Sequence, residues 1–267
     1  HFKTKITKMQ LFIIMMVFML LGGAFVWFLL ANDHGEKEPV AALWVALGLG
    51  VLGAVLAGLL ESRVLPAEID PVKGVGGVPV STLFFSAMII GAIEESAKFI
   101  PLAIWIYKKR FFNEYTDGVI YFAIAGLGFG LPENILYTIQ FGASAGLARL
   151  FLTPLFHSAM TALVGYFLIR NKLNNKPLWS IWPYLLAAIL LHGLYDFGLL
   201  SQNIILAIGS VFLTLLATIM LFAMFVKANQ LDKNLGKSVV GHNGFCRNCG
   251  FPNPDHSLYC TNCGKIA

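Results

Sequence analysis

The sequence predicts an all-α polytopic membrane protein, and three observations lead there. Hydrophobic residues make up 57% of the 267 positions and charged residues only 12%, too little polar surface to cover a soluble globule of that size. Apolar runs long enough to cross a hydrocarbon core of ~30 Å, about 20 helical residues, recur along the chain. The basic residues gather in short clusters at the ends of those runs, where topology signals sit. The net charge of +5 is therefore no sign of a nucleic-acid partner, and none is expected.

Seven spans are predicted, in order. The first, 9–31, follows Lys3, Lys5 and Lys8 as the core of a signal peptide would, but it is too long for that role and no small-residue cleavage site follows. NDHGEKEP separates it from the second, 40–60. ESRVLPAEIDPVKGVGGVP then breaks the pattern, and its Pro66, Pro71 and Pro79 with Gly74, Gly76 and Gly77 make 61–79 a candidate lid. The third span, 81–107, stops at KKRFFNEYTD. The fourth covers 117–141, and the fifth, 149–170, stops at RNKLNNKP. The sixth, 180–200, and the seventh, 203–226, are divided only by Ser201, Gln202 and Asn203, a tight helical hairpin. Seven spans put Lys108, Lys109, Arg110, Arg170, Lys172, Lys176, Lys227, Lys233 and Lys237 on one side, expected to be the cytoplasm. The C-terminus is then inside and the N-terminal lysines outside, against the rule. A prokaryotic cell membrane is the expected location.

A charge near the bilayer centre costs at least ~2.5–3.5 kcal/mol on insertion scales, so an ionisable group inside a span is expected to face the bundle interior and mark function. Glu94, Glu95 and Lys98 lie on the third run, Glu133 on the fourth, His157 on the fifth, and His192 and Asp196 on the sixth. With a rise of ~1.5 Å per residue, Glu133, His157 and His192 each fall about 8 residues, on the order of 12 Å, from one face, the outer one in this orientation. Glu94 and Glu95 lie somewhat deeper. Four helices thus bring carboxylates and imidazoles to one layer.

Spacing within each helix adds detail. Lys98 is four residues from Glu94 and three from Glu95, so its ammonium reaches either carboxylate on one helical face and holds one while the other acts on water. Asp196, four residues after His192, is placed to fix the imidazole tautomer. Phe129 and Glu133 share a face, and Gly126, Gly128, Gly130 and Pro132 in the same stretch predict a kink or very close packing. Two imidazoles and several carboxylates also suit a zinc ion with an open position for water. No HExxH is present, however, and Lys98 already supplies a positive charge where a cation would sit. A proton-coupled transporter would need similar residues, but also paired broken helices in internal repeats, and no repeat relates the two halves.

The ordered set resembles the PrsW family of intramembrane proteases, within the superfamily of CAAX prenyl proteases and bacteriocin-immunity (CPBP/Abi) proteins. The family's EExxK reads Glu94-Glu95-Ser96-Ala97-Lys98, and its FxxxE reads Phe129-Gly130-Leu131-Pro132-Glu133. Its two histidine motifs read His157 with Thr161 and His192 with Asp196. The resemblance runs over 81–200. Prenyl-protease relatives typically have His in place of Glu133 and Asn in place of Asp196, so the chain sides with PrsW and a CAAX substrate is not implied. What the resemblance implies is hydrolysis of peptide bonds in membrane-anchored proteins, in PrsW itself the first cut of an anti-sigma factor on the outer side. Glu94 or Glu95 would activate water, His192 and His157 would polarise the carbonyl or protonate the leaving amine, and Glu133 would be a second acid or an orienter.

After Val226 the composition turns polar. The expected organisation is a protease core over 1–226, a linker over 227–243 and a small module over 244–267. In that module Cys246-x2-Cys249 and Cys260-x2-Cys263, each pair followed by glycine, form a zinc-ribbon pattern with four thiolates for one structural Zn2+. Reduced thiols fit a cytoplasmic C-terminus. The expected partners are the lipid bilayer, a membrane-anchored substrate and a cytoplasmic protein docking on the ribbon.

Overall fold

The computed structural model describes residues 6–66 and 78–239. All seven predicted runs are helical: α1 Lys8–Ala31, α2 Val40–Val64, α3 Val80–Ile106, α4 Tyr115–Phe141, α5 Ala143–Leu173, α6 Trp182–Leu200 and α7 Ile204–Val239. A short 3-10 turn, Leu178–Ile181, leads into α6. Among the described residues, six helices are long and apolar enough to cross a membrane; α3 has the length but carries Glu94, Glu95 and Lys98. The chain is an all-α integral membrane protein.

The stretch 227–239, read as linker, is a correction: α7 continues through it to Val239. KANQLDKNLGKSV contains no proline and several good helix formers, and two of its polar side chains, Asn229 and Asp232, find partners. Asp232 accepts hydrogen bonds from the backbone N–H groups of Tyr115 and Thr116 at 2.7 and 2.9 Å, capping the N-terminus of α4. The Asn229 side chain accepts from the His34 N–H at 3.1 Å. The candidate lid is helical up to Val64; residues 67–77 and the zinc-ribbon module lie outside the described residues.

Helix α4 is central, touching α1, α2, α3, α5 and α7. Its first half, Thr116 to Gly130, is buried throughout, which needs small residues at the crossings. A Cβ on Gly126 would stand 2.5 Å from the His157 carbonyl oxygen on α5, and one on Gly91 of α3 would stand 2.7 Å from the Ile189 carbonyl oxygen on α6. These contacts are backbone against backbone, so no side chain can yield.

At one end of the bundle the α1–α2 loop, the α3–α4 loop and the C-terminal parts of α5 and α7 meet. Glu36 N–H donates to Glu114 at 2.9 Å, and Lys172 donates to the Phe112 carbonyl at 2.6 Å. Burial raises the Glu114 carboxyl to about 8 and the Glu38 carboxyl to about 6. The predicted polar layer lies toward the opposite end.

Candidate active site

Four helices build the site. Crossings α4 with α5 and α3 with α6 bring Glu94, Glu95, Lys98, Glu133, His157, His192 and Asp196 into one continuous cluster. Glu95 and Lys98 have no exposed surface, His157 and His192 are 1% exposed, and Glu94 retains 7%. Glu94 is thus the glutamate of the pair with an open edge.

Lys98 occupies the centre. Its ammonium lies 2.7 Å from Glu95 Oε1, 2.9 Å from His157 Nδ1, and 3.4 Å from both Glu94 Oε2 and His192 Nδ1, so its three hydrogens are directed among four neighbours, with Glu95 and His157 the closest. It also stands 4.3 Å from the centre of the Phe129 ring, a favourable cation–π placement. For His157, one placement of the imidazole proton satisfies both neighbours. His157 accepts from Lys98 at Nδ1 and donates from Nε2 to Glu133 Oε2 at 2.5 Å. His192 donates from Nδ1 to Glu95 Oε1 at 2.6 Å and turns Nε2 toward Glu94 Oε2, 3.3 Å away.

Asp196 lies beside the ring as its spacing predicts, its Oδ2 3.6 Å from His192 Nε2, while Glu95, from α3, makes the shorter contact to Nδ1 at 2.6 Å. Helical spacing brings Asp196 near, but the tertiary contact is shorter. The rings are held by packing as well: Phe156 stacks on Tyr195 with centroids 4.2 Å apart and presents an edge arrangement to His192 at 5.4 Å. Thr161, paired with His157 in its motif, donates to the His157 carbonyl at 2.9 Å.

Two residues outside every motif face the cluster. Arg149, near the start of α5, ion-pairs with Glu133 Oε1 through Nη2. Glu61, near the end of α2, has Asp196, Glu133 and Lys98 as charged neighbours, and its buried Oε1 finds no partner among the described residues. Sequence reading took Glu61 as loop punctuation and Arg149 as the edge of a span. The available signal was a charged residue bordering an apolar run.

The donor set also bears on metal binding. Glu94, His157 and His192 each offer an atom within 4.8 Å of the others, and two imidazoles with one carboxylate are a zinc donor set that leaves a position open. The His157 nitrogen on that side is Nδ1, 4.0 Å from Glu94 Oε2, and its lone pair already receives Lys98. The residues fit an ion only where the ammonium gives up that contact.

Residues 38–226 match the sequence profile of the family described as PrsW family intramembrane metalloprotease. The chain belongs to the PrsW family. The match takes in every residue of the cluster. Among curated relatives, Protease PrsW of Bacillus subtilis (strain 168) is 31% identical over 68% of this chain and 80% of its own length. Protease PrsW of Geobacillus kaustophilus (strain HTA426) is 30% identical over 68% and 77%, and that of Halalkalibacterium halodurans (strain C-125, also ATCC BAA-125) 32% over 78% and 92%. No solved structure matches. Membership makes the chain an intramembrane protease of the PrsW family.

Proposed function

We propose that the chain is an endopeptidase that cuts membrane-anchored proteins with a glutamate-activated water. The observation that carries this reading is the Lys98 ammonium, hydrogen-bonded to Glu95 and His157 and facing Glu94. Water enters at the exposed edge of Glu94, whose carboxylate removes one proton as the oxygen attacks the carbonyl carbon. The developing oxyanion faces the Lys98 hydrogen that Glu94 holds only loosely, at 3.4 Å. The proton gained by Glu94 is shared with His192 Nε2 and passes to the amine nitrogen as the carbon–nitrogen bond breaks, giving one new carboxylic acid and one new amine; the acid then yields its remaining proton to the amine, leaving a carboxylate and an ammonium. Glu95 anchors Lys98 and His192, and Glu133 orients His157.

The resemblance implies membrane-anchored substrates of the anti-sigma-factor type, and a site away from the basic end suits a cut in the outer half of a cell membrane with the C-terminus in the cytoplasm. Cys246, Cys249, Cys260 and Cys263 would hold a structural Zn2+ and offer a cytoplasmic partner a docking module. A second reading rests on the proximity of Glu94, His157 and His192 donors: a zinc ion held there would supply Lewis-acid polarisation and a more acidic bound water.

The test is cleavage of a membrane-tethered reporter by the purified chain in proteoliposomes. Glu94→Gln and Glu95→Gln variants that insert normally but no longer cleave support the protease reading, and undiminished cleavage overturns it. Activity that persists in strong chelator supports water activation by glutamate alone; loss on chelation and recovery with zinc favours the second reading.

A further inference from the structure

Arg149 belongs to no motif, yet it closes the hydrogen-bonded chain that runs through the site. It lies about two helical turns before His157 on α5, and its guanidinium binds Glu133 Oε1 on α4 while resting 3.8 Å from the centre of the Tyr137 ring. Only 14% of its side chain is exposed. The two oxygens of Glu133 are therefore divided, Oε1 to arginine and Oε2 to His157 Nε2.

We propose, on the hydrolytic reading above, that Arg149 is a positioning residue: by clamping one oxygen of Glu133 it aims the other at His157 and fixes the proton of that imidazole on Nε2. The consequence falls on Lys98. With the proton on Nε2, Nδ1 presents a lone pair to the ammonium 2.9 Å away; with the proton on Nδ1, two donors face each other there. An unclamped Glu133 can turn about its side-chain bonds, so His157 samples the second tautomer and pushes Lys98 off its place beside the glutamates. A guanidinium suits the role because its fork fixes direction as well as charge. Its stacking on Tyr137 removes the remaining freedom.

A purely neutralising arginine would be replaceable by any change that removes the buried charge, whereas a positioning one acts through the His157 tautomer. The test compares wild type with Arg149→Ala, Arg149→Gln and Arg149→Lys variants of the full chain in proteoliposomes. Reporter cleavage in the Ala and Gln variants is expected to lose roughly 10- to 100-fold in kcat, the usual cost of losing a group that orients a histidine. KM should stay within about 2-fold, and Lys should restore part of kcat. Nitrogen-15 shifts of His157, assigned against a His157→Asn variant, should show protonated Nε2 in wild type and Arg149→Lys and a mixed tautomer in Arg149→Gln. An unchanged His157 spectrum in Arg149→Gln overturns the proposal, and so does a loss confined to KM. The nitrogen readout needs no substrate, so it judges Arg149 even if the wild-type chain cleaves nothing, the outcome that would remove the hydrolytic reading instead. If Arg149→Ala does not fold, the Gln and Lys variants decide.

Discussion

Lys98 donates to His157 Nδ1 across 2.9 Å, from α3 to α5, inside a layer with no exposed surface at the lysine. The lone pair that takes this hydrogen is the one a metal ion would need, so ammonium and cation compete for one place. Excess zinc should therefore inhibit cleavage by the wild-type chain. A double variant, Lys98→Met with Glu95→Gln, should bind zinc more tightly than wild type, because Glu94, His157 and His192 are then left with no ammonium among them. Calorimetry or metal content after dialysis checks this; equal zinc affinity in the two proteins contradicts the competition.

The same lysine neutralises Glu95, which is wholly buried and 2.7 Å away. Removing one partner of a buried pair leaves an uncompensated charge and costs about 3–5 kcal/mol. Lys98→Met alone should therefore insert or fold poorly. The double variant Lys98→Met with Glu95→Gln should recover much of the thermal stability while remaining inactive. Thermal unfolding in detergent compares them, and a double variant no more stable than Lys98→Met argues against the pair as the source of the loss.

Glu94 and Glu95 are neighbours in sequence with different surroundings. Glu94 keeps an open edge, while Glu95 holds Lys98 at 2.7 Å and His192 at 2.6 Å and leaves Oε2 without a partner among the described residues. Glu94→Gln should lower kcat about 10²- to 10⁴-fold, the range for loss of general acid–base catalysis, with an unfolding temperature close to wild type. Glu95→Gln should lose both activity and stability, because an amide cannot balance the ammonium. Parallel kinetics and unfolding curves separate the two, and identical stability losses would show that the neighbours share one role.

Much of this arrangement was legible in the sequence because it is written in helical spacing. Glu94, Glu95 and Lys98 had to share a face, and the lengths of the apolar runs put Glu133, His157 and His192 at one level. The parts that spacing missed are tertiary. Arg149 meets Glu133 from the next helix, sixteen positions along the chain, and no periodicity connects them. Asp196 lies one turn from His192 as its spacing predicts, but Glu95 also reaches the ring, from α3 and with a shorter contact. The end of α7 read as linker because its residues are polar, and only the docking of Asn229 and Asp232 on the neighbouring loops explains why it stays helical.

Close approach of the catalytic helices rests on Gly126. A methyl group there would stand 2.5 Å from the His157 carbonyl oxygen and 2.7 Å from Ser158 Cα, so α4 and α5 would have to separate. Overpacking of this kind costs about 1–3 kcal/mol. Because the displaced backbone is that of His157 itself, Gly126→Ala should also break the contacts of His157 with Lys98 and Glu133. A fall in kcat larger than that of Gly23→Ala, where a Cβ meets nothing within 4 Å, is the expected result; equal kinetics in the two variants would mean that the helices tolerate the separation.

The opposite end of the bundle should respond to pH independently of the site. Burial raises Glu114 to about 8 and Glu38 to about 6, both above the ordinary carboxyl value of 4.5. The folded chain therefore holds protons that the unfolded chain releases, and stability falls as pH rises between these values. The contribution is complete below about pH 4.5 and is lost as pH passes first about 6 for Glu38 and then about 8 for Glu114. A Glu114→Gln variant keeps an oxygen to accept the Glu36 N–H but has no proton to lose. Its unfolding temperature should therefore decline less than that of wild type as pH is raised from about 6 to about 9. Parallel slopes for the two proteins across that range would assign the pH response to another group.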